Sequence, residues 1–453
     1  MTIDELITLV CSIEQKQLTP AQELVLRRAW QGETYNQMAV QSIYEVDYLK
    51  TTASRLWQVI SSLLNQPVSK ANFRQTVESL ALTSQQREIV EEFNRYSTLS
   101  EARGKAGESK IINLPFLDYP SGPVPIDSLF YTPRPPLEEQ AYQEISQPTS
   151  VVRIEAPKKM GKTSLMLRIL AHGDSLGYKT VNLDFQQIDT ATLSDLNKFL
   201  RWFCIRVSQE LNLKPNLSDF WHETLGCKAS CTLYFKCYLL ERIEQPLVLA
   251  LSQLERIFEY PSLSQEFFPL LRSWYEEAQR LETWQKLRLV AVYSTEAYVT
   301  FKLNQSPLDM GLPLELPEFT VEQIQTLARL HRLNWTDTQQ AEQLMVMIGG
   351  HPALVRLTLY HLSYSELTLN QIWQDADTEA GIYREHLRRH LTNLKANPKL
   401  AEAFKEVVAA DSGVTLDCIT TFQLKSLGIV KLNRDEVTPR CHLYRLYFRK
   451  QLY

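Results

Sequence analysis

The stretch EAPKKMGKTS, residues 155–164, has the residue types and spacing of a loop that binds phosphate groups. An apolar segment precedes it and an amphipathic one follows, so the loop is predicted to join a strand to a helix. Backbone N–H groups there point at an anion, Gly161 lets it approach, Lys162 adds positive charge and Thr163 can hold Mg²⁺. The predicted ligand is ATP or ADP. Its predicted contacts are Ala156, Pro157, Lys158, Lys159, Met160, Gly161, Lys162, Thr163 and Ser164.

One position departs from the usual pattern, because Ala156 stands where the first glycine of such a loop is expected. Alanine is the least disruptive replacement unless that position needs a positive φ angle. A basic turn that matches the pattern by chance is the alternative interpretation. The apolar segment before the loop and the amphipathic segment after it favour the phosphate loop.

A second stretch, QPLVLALSQLERIFEY at 245–260, predicts a buried strand that runs into a polar loop. Enzymes with a phosphate loop carry an Asp there, which orders Mg²⁺, and then a Glu, which acts as general base. This chain has Ser252 and Gln253, which can hydrogen-bond water but bring no charge and accept no proton. We therefore predict weak or absent hydrolysis and assign no catalytic residue. The alternative is that another carboxylate, that of Glu255 or less readily that of Asp184, reaches the γ-phosphate or the metal instead.

Strand-like and helix-like segments alternate around these two stretches, which predicts a doubly wound parallel sheet. Ser294 and Thr295 follow the last of these strands, where a polar group can sense the γ-phosphate or can simply end the strand. The four predicted strands are Val151–Glu155, Lys179–Asp184, Leu247–Leu251 and Leu287–Tyr293.

The first 80 residues contain three or four amphipathic segments in the order of a helix-turn-helix. Thr19 before Pro20 predicts a helix start, and Gly32 predicts its end. Glu45 and Asp47 oppose the local positive charge, so duplex DNA and a protein partner are both open as ligands of this unit. The stretch EVDYLKTTASRLWQV is the predicted recognition helix. The candidate DNA-binding residues on its polar face are Lys50, Thr51, Thr52, Ser54 and Arg55.

Composition shifts divide the rest of the chain. A stretch rich in Ser, Gly and Pro follows the first unit and predicts a linker. Beyond the sheet the sequence is helical to about residue 410, and it ends in a helix, two short strands and an amphipathic stretch, the pattern of a winged helix. The predicted divisions are a helix-turn-helix at 1–80, a linker at 81–121, a P-loop domain at 122–318, a helical lid at 319–398 and a winged helix at 399–453.

The net charge of −4 gives no overall attraction to nucleic acid, so any such binding must be local. The apolar runs are too short to span a bilayer, and we expect a cytoplasmic protein that contacts no membrane. Cys227, Cys231 and Cys237, with His222 nearby, raise the question of zinc. Their spacing matches no paired ligand motif, and the helical periodicity around them favours a packed helix.

The chain contains the stretches GPVPIDSLFYTPRPPLEEQAYQEI, IEAPKKMGKTSL, NQSPLDMGLPLELPEFT, IGGHPALVRLTLYHL and VTPRCHLYRLYF. With these stretches it resembles the AAA-like domain proteins common in cyanobacteria, P-loop ATPases close to the STAND signal-transduction class. The Ala-Pro form of the loop is usual in that family, whose members read roughly Asp-Glu-Val-Asp-Arg after LVLAL. The resemblance implies that Gly350 and Pro352 contact the base, that Arg134 lies near the nucleotide, and that the winged helix packs on the core. Pro352 could instead simply start a helix.

The N-terminal stretches LTPAQELVLRRAWQGETYNQMA and SRLWQVISSLL resemble the helix-turn-helix of vWA-MoxR-associated proteins. Together the resemblances imply a nucleotide-gated switch that presents this helix-turn-helix to DNA or to a protein, with a nucleotide-dependent homo-oligomer as one form. Two alternatives stay open. One is a transcription regulator that uses the core for oligomerisation, and the other is an active ATPase that uses Glu255.

Overall fold

The computed structural model describes residues 2–14, 20–40, 46–64, 66–79, 119–300, 308–333, 335–364 and 367–453. These residues belong to two compact units, Met1–Asp118 and Tyr119–Tyr453. The predicted linker, 81–121, lies outside the described residues except at its end, and so does Thr19 with the helix start predicted there. No helix in the described ranges is both long enough and apolar enough to cross a membrane.

The first unit is helical, as the amphipathic segments predict. Its core contains Leu49, Leu56 and Trp57, and the Trp57 indole donates a hydrogen bond to the Tyr35 hydroxyl at 3.2 Å. Gly32 has a φ of 82° just after the second helix, which confirms the predicted stop. The described helices are α1 (Ile3–Glu14), α2 (Pro20–Trp30), α3 (Tyr35–Val40), α4 (Val46–Leu64) and α5 (Phe73–Ser79).

The second unit is built on a five-stranded sheet in the order β2-β3-β4-β1-β5, in which every pair of neighbours is parallel. Four of these strands confirm the sequence prediction, while β5 was not predicted. The register pairs Asp184 with Ser252 and Ala156 with Ser294, so the carboxyl ends of these parallel strands lie at the same end of the sheet. The strands are β1 (Val151–Ala156), β2 (Lys179–Asp184), β3 (Leu247–Ser252), β4 (Leu287–Ser294) and β5 (Leu312–Glu315).

Helices cover both faces of this sheet, as a doubly wound fold requires. Ile145 and Ile169 pack on one face, and an aromatic layer that includes Phe203, Phe267 and Trp274 packs on the other. The helices are α6 (Leu137–Ser146), α7 (Lys162–Ser175), α8 (Thr190–Leu193), α9 (Leu196–Glu210), α10 (Cys227–Tyr234), α11 (Glu255–Phe258), α12 (Pro261–Glu277) and α13 (Glu296–Thr300).

The cysteines that raised the question of zinc lie in α10 and in the π-helical segment Phe235–Leu240 that continues it, which confirms the packed helix. The buried thiol of Cys231 lies 3.6 Å from that of Cys204. Within the ranges that the structure covers, no group of three or more His, Cys, Asp or Glu residues is arranged to hold a metal ion.

After the sheet the chain is helical, and it ends in a helix, an antiparallel strand pair and a last helix, in the predicted order. Val414 adds a single bridge to Val437 of the second strand. The elements are α14 (Val321–Leu330), α15 (Gln339–Ile348), α16 (Pro352–Tyr364), α17 (Leu369–Asp375), α18 (Arg384–Lys395), α19 (Pro398–Ala409), α20 (Cys418–Leu427), β6 (Val430–Asn433), β7 (Glu436–Pro439) and α21 (His442–Gln451).

Candidate nucleotide-binding site

The predicted phosphate loop lies between the end of β1 at Ala156 and the start of α7 at Lys162. Gly161 precedes the helix with a φ of 95°, a left-handed conformation that strongly favours glycine. A Cβ atom at this position would lie 3.0 Å from Nη2 of Arg134. The local geometry therefore requires glycine for two separate reasons, the backbone conformation and the close guanidinium.

Lys162, the cation of the loop, folds back on the loop that carries it. Its ammonium donates hydrogen bonds to the carbonyl oxygens of Ala156 at 2.9 Å and Pro157 at 2.8 Å. Burial lowers the pKa of Lys162 to about 8, and the negative charges of Glu255 and Glu296 partly oppose that shift. The Lys162 ammonium thus lies within the electrostatic influence of two carboxylates, those of Glu255 and Glu296.

Arg134, which the family resemblance places near the nucleotide, is buried against the same loop. Its guanidinium donates to the carbonyl oxygen of Met160 at 2.8 Å, and burial lowers its pKa. Both oxygens of the Glu138 carboxylate accept a hydrogen bond from the Arg134 backbone N–H, at 2.9 and 3.0 Å. This contact fixes the segment that precedes α6. Ser164, another predicted contact, uses its hydroxyl to accept the backbone N–H of Val124 at 2.9 Å.

Ser252 and Gln253 lie at the carboxyl end of β3, where the sequence predicts them. The buried Ser252 hydroxyl faces β2, at 3.3 Å from Oδ1 of Asn182 and 3.3 Å from the carbonyl oxygen of Leu183. Gln253 adopts a φ of 58°, which is uncommon for a residue other than glycine and stores backbone strain. The Asp184 carboxylate accepts the N–H of Gln186 at 2.9 Å and so caps a turn.

Glu255, the alternative carboxylate, lies close to the loop. Its Oε2 accepts the backbone N–H of Ser294 at 3.2 Å, which ties α11 to the end of β4. Among the charges acting on Lys162, that of Glu255 gives the largest upward effect on the pKa. The negative charge of Glu255 therefore acts on the phosphate-loop lysine. Asp184 is not among the charges that shift the pKa of Lys162.

Ser294 and Thr295 are both engaged in contacts within the protein. Ser294 accepts the backbone N–H of Glu296 at 3.3 Å, so its hydroxyl caps the following helix. The Thr295 hydroxyl donates to the carbonyl oxygen of Ser426 at 2.7 Å, and its N–H donates to Ala156 at 3.1 Å. These contacts favour the interpretation in which the pair ends the strand.

Gly350 and Pro352 lie at the start of α16 and contact the segment that leaves the sheet. A Cβ atom on Gly350 would lie 2.1 Å from the carbonyl oxygen of Phe319, so a larger residue cannot fit there. Pro352 is buried at the first position of the helix, a position that suits proline. Between them, His351 is buried beside the backbone of Lys158, which brings this motif to the phosphate loop.

A charged and imidazole-rich cluster beside the loop was missed at the sequence level. Glu296 accepts the backbone N–H of Lys158 at 3.0 Å and pairs with Arg389 at 3.3 Å. The rings of His386 and His390 flank Arg389, and burial lowers the pKa of each ring well below its ordinary value. The spacing in YREHLRRH, which puts both histidines on one helical face, was the available signal.

The C-terminal elements also touch the phosphate loop. Gly428 has a φ of 73°, and a Cβ atom on it would lie 2.5 Å from Cγ of Pro157. The basic residues near the C-terminus form contacts within the protein. Arg440 pairs with Glu318 at 2.7 Å, Arg445 donates to the carbonyl of Ala410, Arg449 donates to that of Val408 at 2.6 Å, and Lys450 pairs with Asp377 at 2.5 Å.

In the N-terminal unit the predicted recognition helix is α4. Lys50 and Ser54 are exposed and Thr52 is half-buried, whereas Ala53 and Leu56 face the core. The side chains of Thr51 and Arg55 lie outside the described residues. The helix thus carries part of the predicted polar face.

Models of known protein families match both parts of the chain. A family model described as "AAA-like domain" matches residues 119–450, which is most of the chain. The chain belongs to the AAA-like domain family. A second model, "vWA-MoxR associated protein N-terminal HTH", matches residues 1–80. This AAA-like chain therefore combines a P-loop ATPase fold with an N-terminal helix-turn-helix.

Solved structures similar to this AAA-like chain are distant. The Walker-type ATPase of Pyrococcus abyssi is 11% identical, with a TM-score of 0.48 over 74% of this chain and 99% of that one. The ORC2 protein of Aeropyrum pernix, solved as ADPNP–ADP complexes, is 13% identical, with a TM-score of 0.40 over 74% and 96%. Cdc6p from Pyrobaculum aerophilum is 14% identical, with a TM-score of 0.36 over 73% and 100%. No curated protein matches the sequence significantly.

Proposed function

We propose that this chain is a STAND-like regulatory switch that binds ATP or ADP and hydrolyses ATP slowly or not at all. The loop N–H groups and Lys162 would hold the phosphates, and Thr163 would hold Mg²⁺. Arg134 supports the loop by its bond to Met160. A Mg²⁺ ion would draw charge from the outer phosphates, and the chain supplies the loop that positions them.

The observation that carries the switch is the contact of the C-terminal elements with the loop. Thr295, which follows β4, bonds Ser426 of α20, and Gly428 lies against Pro157. These elements, a winged helix in our proposal, rest on the loop that would receive the phosphates. A ligand shifts a conformational equilibrium only by binding two states with different affinity, so binding and release are sufficient and hydrolysis is not needed.

The weak hydrolysis rests on the residues at the end of β3. Ser252 brings no negative charge to a metal, and its hydroxyl faces Asn182 and the Leu183 carbonyl. Gln253 can orient a water molecule but cannot accept its proton. The loss of a general base costs about 10²–10⁴ in rate.

Nucleotide binding to the full chain tests the first part of the proposal. Lys162→Ala should lose ADP and ATP affinity by about 100-fold or more, because a buried charge-assisted contact is removed. Lys198→Ala, which changes an exposed lysine whose ammonium lies 4.0 Å from Asp195, is the matched control. Nucleotide affinity that survives in Lys162→Ala would refute the phosphate loop.

The output is proposed to be the N-terminal helix-turn-helix, presented to duplex DNA or to a protein partner. Lys50 and Ser54, exposed on α4, support the DNA alternative. In DNA binding by the full chain, Lys50→Ala should reduce the slope of log affinity against log salt by about one. Binding without salt dependence would favour a protein partner.

One observation favours a second function, an active ATPase that uses Glu255. Its carboxylate lies within electrostatic reach of Lys162 and is anchored on the Ser294 N–H. Glu255→Gln separates the two functions. A loss of about 100-fold or more in single-turnover hydrolysis would support the active ATPase, since general-base loss has that size.

A further inference from the structure

The carboxylate of Glu296 occupies donors that a phosphate oxygen would use. Its Oε1 accepts the backbone N–H of Lys158 at 3.0 Å and lies 3.3 Å from the guanidinium of Arg389. The side chain is only 4% exposed, so solvent screens these contacts little. A loop N–H and a guanidinium are also the groups that proteins use to bind phosphate oxygens.

The place of Glu296 in the fold indicates which phosphate of a bound nucleotide would lie nearest to its carboxylate. In loops of this type the lysine reaches the β- and γ-phosphates. Glu296 comes directly after Ser294 and Thr295, at the carboxyl end of β4 where a γ-phosphate sensor is expected. Its negative charge partly opposes the burial that lowers the pKa of Lys162. Glu296 therefore lies toward the outer end of a phosphate chain.

Arg389 completes this arrangement from α18. Its Nη2 lies 3.2 Å from Nε2 of His390 and 3.5 Å from Nδ1 of His386, and burial keeps both rings uncharged. Its Nε is buried and has no hydrogen-bond partner among the residues that the structure describes. The cluster thus holds a buried N–H donor that no described residue satisfies.

We propose that Glu296 is a specificity-determining residue that makes the site prefer a nucleoside diphosphate to a triphosphate. The inference rests on the proposed function, because it requires a nucleotide in the phosphate loop. A diphosphate leaves Glu296 on Lys158 and Arg389. A third phosphate brings more negative charge toward a buried carboxylate and must take over its two donors, which repulsion at low local dielectric opposes.

Arg389 has the opposite effect in this scheme. It neutralises Glu296 when a diphosphate is bound, and it is the cation that a third phosphate would recruit. Removing the carboxylate and removing the guanidinium should therefore change the preference in opposite directions. A cluster with a purely structural role would lower the affinity for both nucleotides together, so the sign of the change separates the two cases.

The test measures dissociation constants of the full chain for ADP and for the β,γ-imido analogue of ATP, with Mg²⁺, by calorimetry. Native protein should bind ADP about tenfold or more tightly than the analogue. Glu296→Gln should erase that preference, while Arg389→Gln should increase it. Glu276→Gln, the same change at an exposed ion pair with Arg272, should leave the ratio as in native protein.

The outcomes separate this inference from the proposed function. If native protein binds neither nucleotide, the phosphate-loop function itself fails. If it binds both and already prefers the triphosphate analogue, the role of Glu296 is refuted without any variant. If ADP affinity persists in Glu296→Gln and the ratio does not change, the inference is refuted while nucleotide binding stands.

Discussion

The Thr295 hydroxyl, just beyond the end of β4, donates a hydrogen bond to the carbonyl oxygen of Ser426 at 2.7 Å. The N–H of the same residue donates to Ala156 at the start of the phosphate loop, at 3.1 Å. One residue therefore connects the loop to α20. This connection is a hydrogen-bonded route by which a bound phosphate could affect the C-terminal elements.

Thr295→Val removes the hydroxyl and leaves the Ser426 carbonyl without its donor. We expect a loss of about 1–2 kcal/mol in the free energy of unfolding, and a smaller effect of ADP on hydrogen exchange in α20. Hydrogen exchange of the full chain with and without ADP measures the second effect. Thr326→Val, which removes a hydroxyl bonded to Glu322 within an exposed helix, is the control. Unchanged ADP-dependent protection of α20 in Thr295→Val would contradict the coupling.

Gly161→Ala tests the geometry of the loop. Gly161 and Gly177 both have positive φ angles, 95° and 77°, but only Gly161 has a neighbour that an added Cβ would contact. Gly161→Ala and Gly177→Ala should each lower the free energy of unfolding by about 1 kcal/mol, because alanine is strained at a positive φ angle. Gly161→Ala should in addition displace Arg134 and weaken ADP binding by about tenfold or more, since misplaced donors lose much of their strength. Equal ADP affinity in the two variants would show that the Arg134 contact does not matter.

The low pKa of Lys162 predicts a pH dependence of binding. Burial lowers this pKa from 10.5 to about 8, and bound phosphates would raise it again because they favour the charged ammonium. Below about pH 8 the ammonium is already charged, so affinity is at its full value. As pH rises through 8, binding must take up a proton, and ADP affinity should fall by up to about tenfold per pH unit.

The variant Lys162→Arg provides the comparison, because arginine stays protonated throughout this range. Its affinity should be lower at pH 7.5 but nearly constant to pH 9.5. Calorimetry in buffers of different ionisation enthalpy detects the proton uptake directly. A native affinity that does not change between pH 7.5 and 9.5 would contradict the buried, readily deprotonated lysine.

Much of the fold follows from local patterns in the sequence. The strand, loop and helix around Gly161 and Lys162 are close in the chain and were predicted correctly. The predicted end of β2 matches the structure, and β3 and β4 each extend one residue beyond their predicted ends. Strand β5 was missed because LPLE, Leu312–Glu315, is short, contains a proline and has no long apolar run. It pairs with β1 only through contacts distant in sequence.

The cluster beside the loop could not be predicted in the same way. Glu296 and Lys158 are 138 positions apart, and Arg389 comes from a different helix again. Only the helical spacing of His386 and His390 was visible locally, and that pattern is also typical of an ordinary buried face. The sequence could identify the loop, but it could not show which side chains the fold brings to it.

Single-turnover hydrolysis of ATP by the native full chain with Mg²⁺ tests the central claim most directly, with Gln253→Glu measured beside it. We predict that ATP binds and that native protein cleaves it about 100-fold or more slowly than an ordinary ATPase, whose turnover is about 1 s⁻¹ or faster. Gln253→Glu should increase the rate, since it restores a general base at the end of β3. Native cleavage at about 1 s⁻¹, with no gain in Gln253→Glu, would contradict the account of a nucleotide-responsive switch.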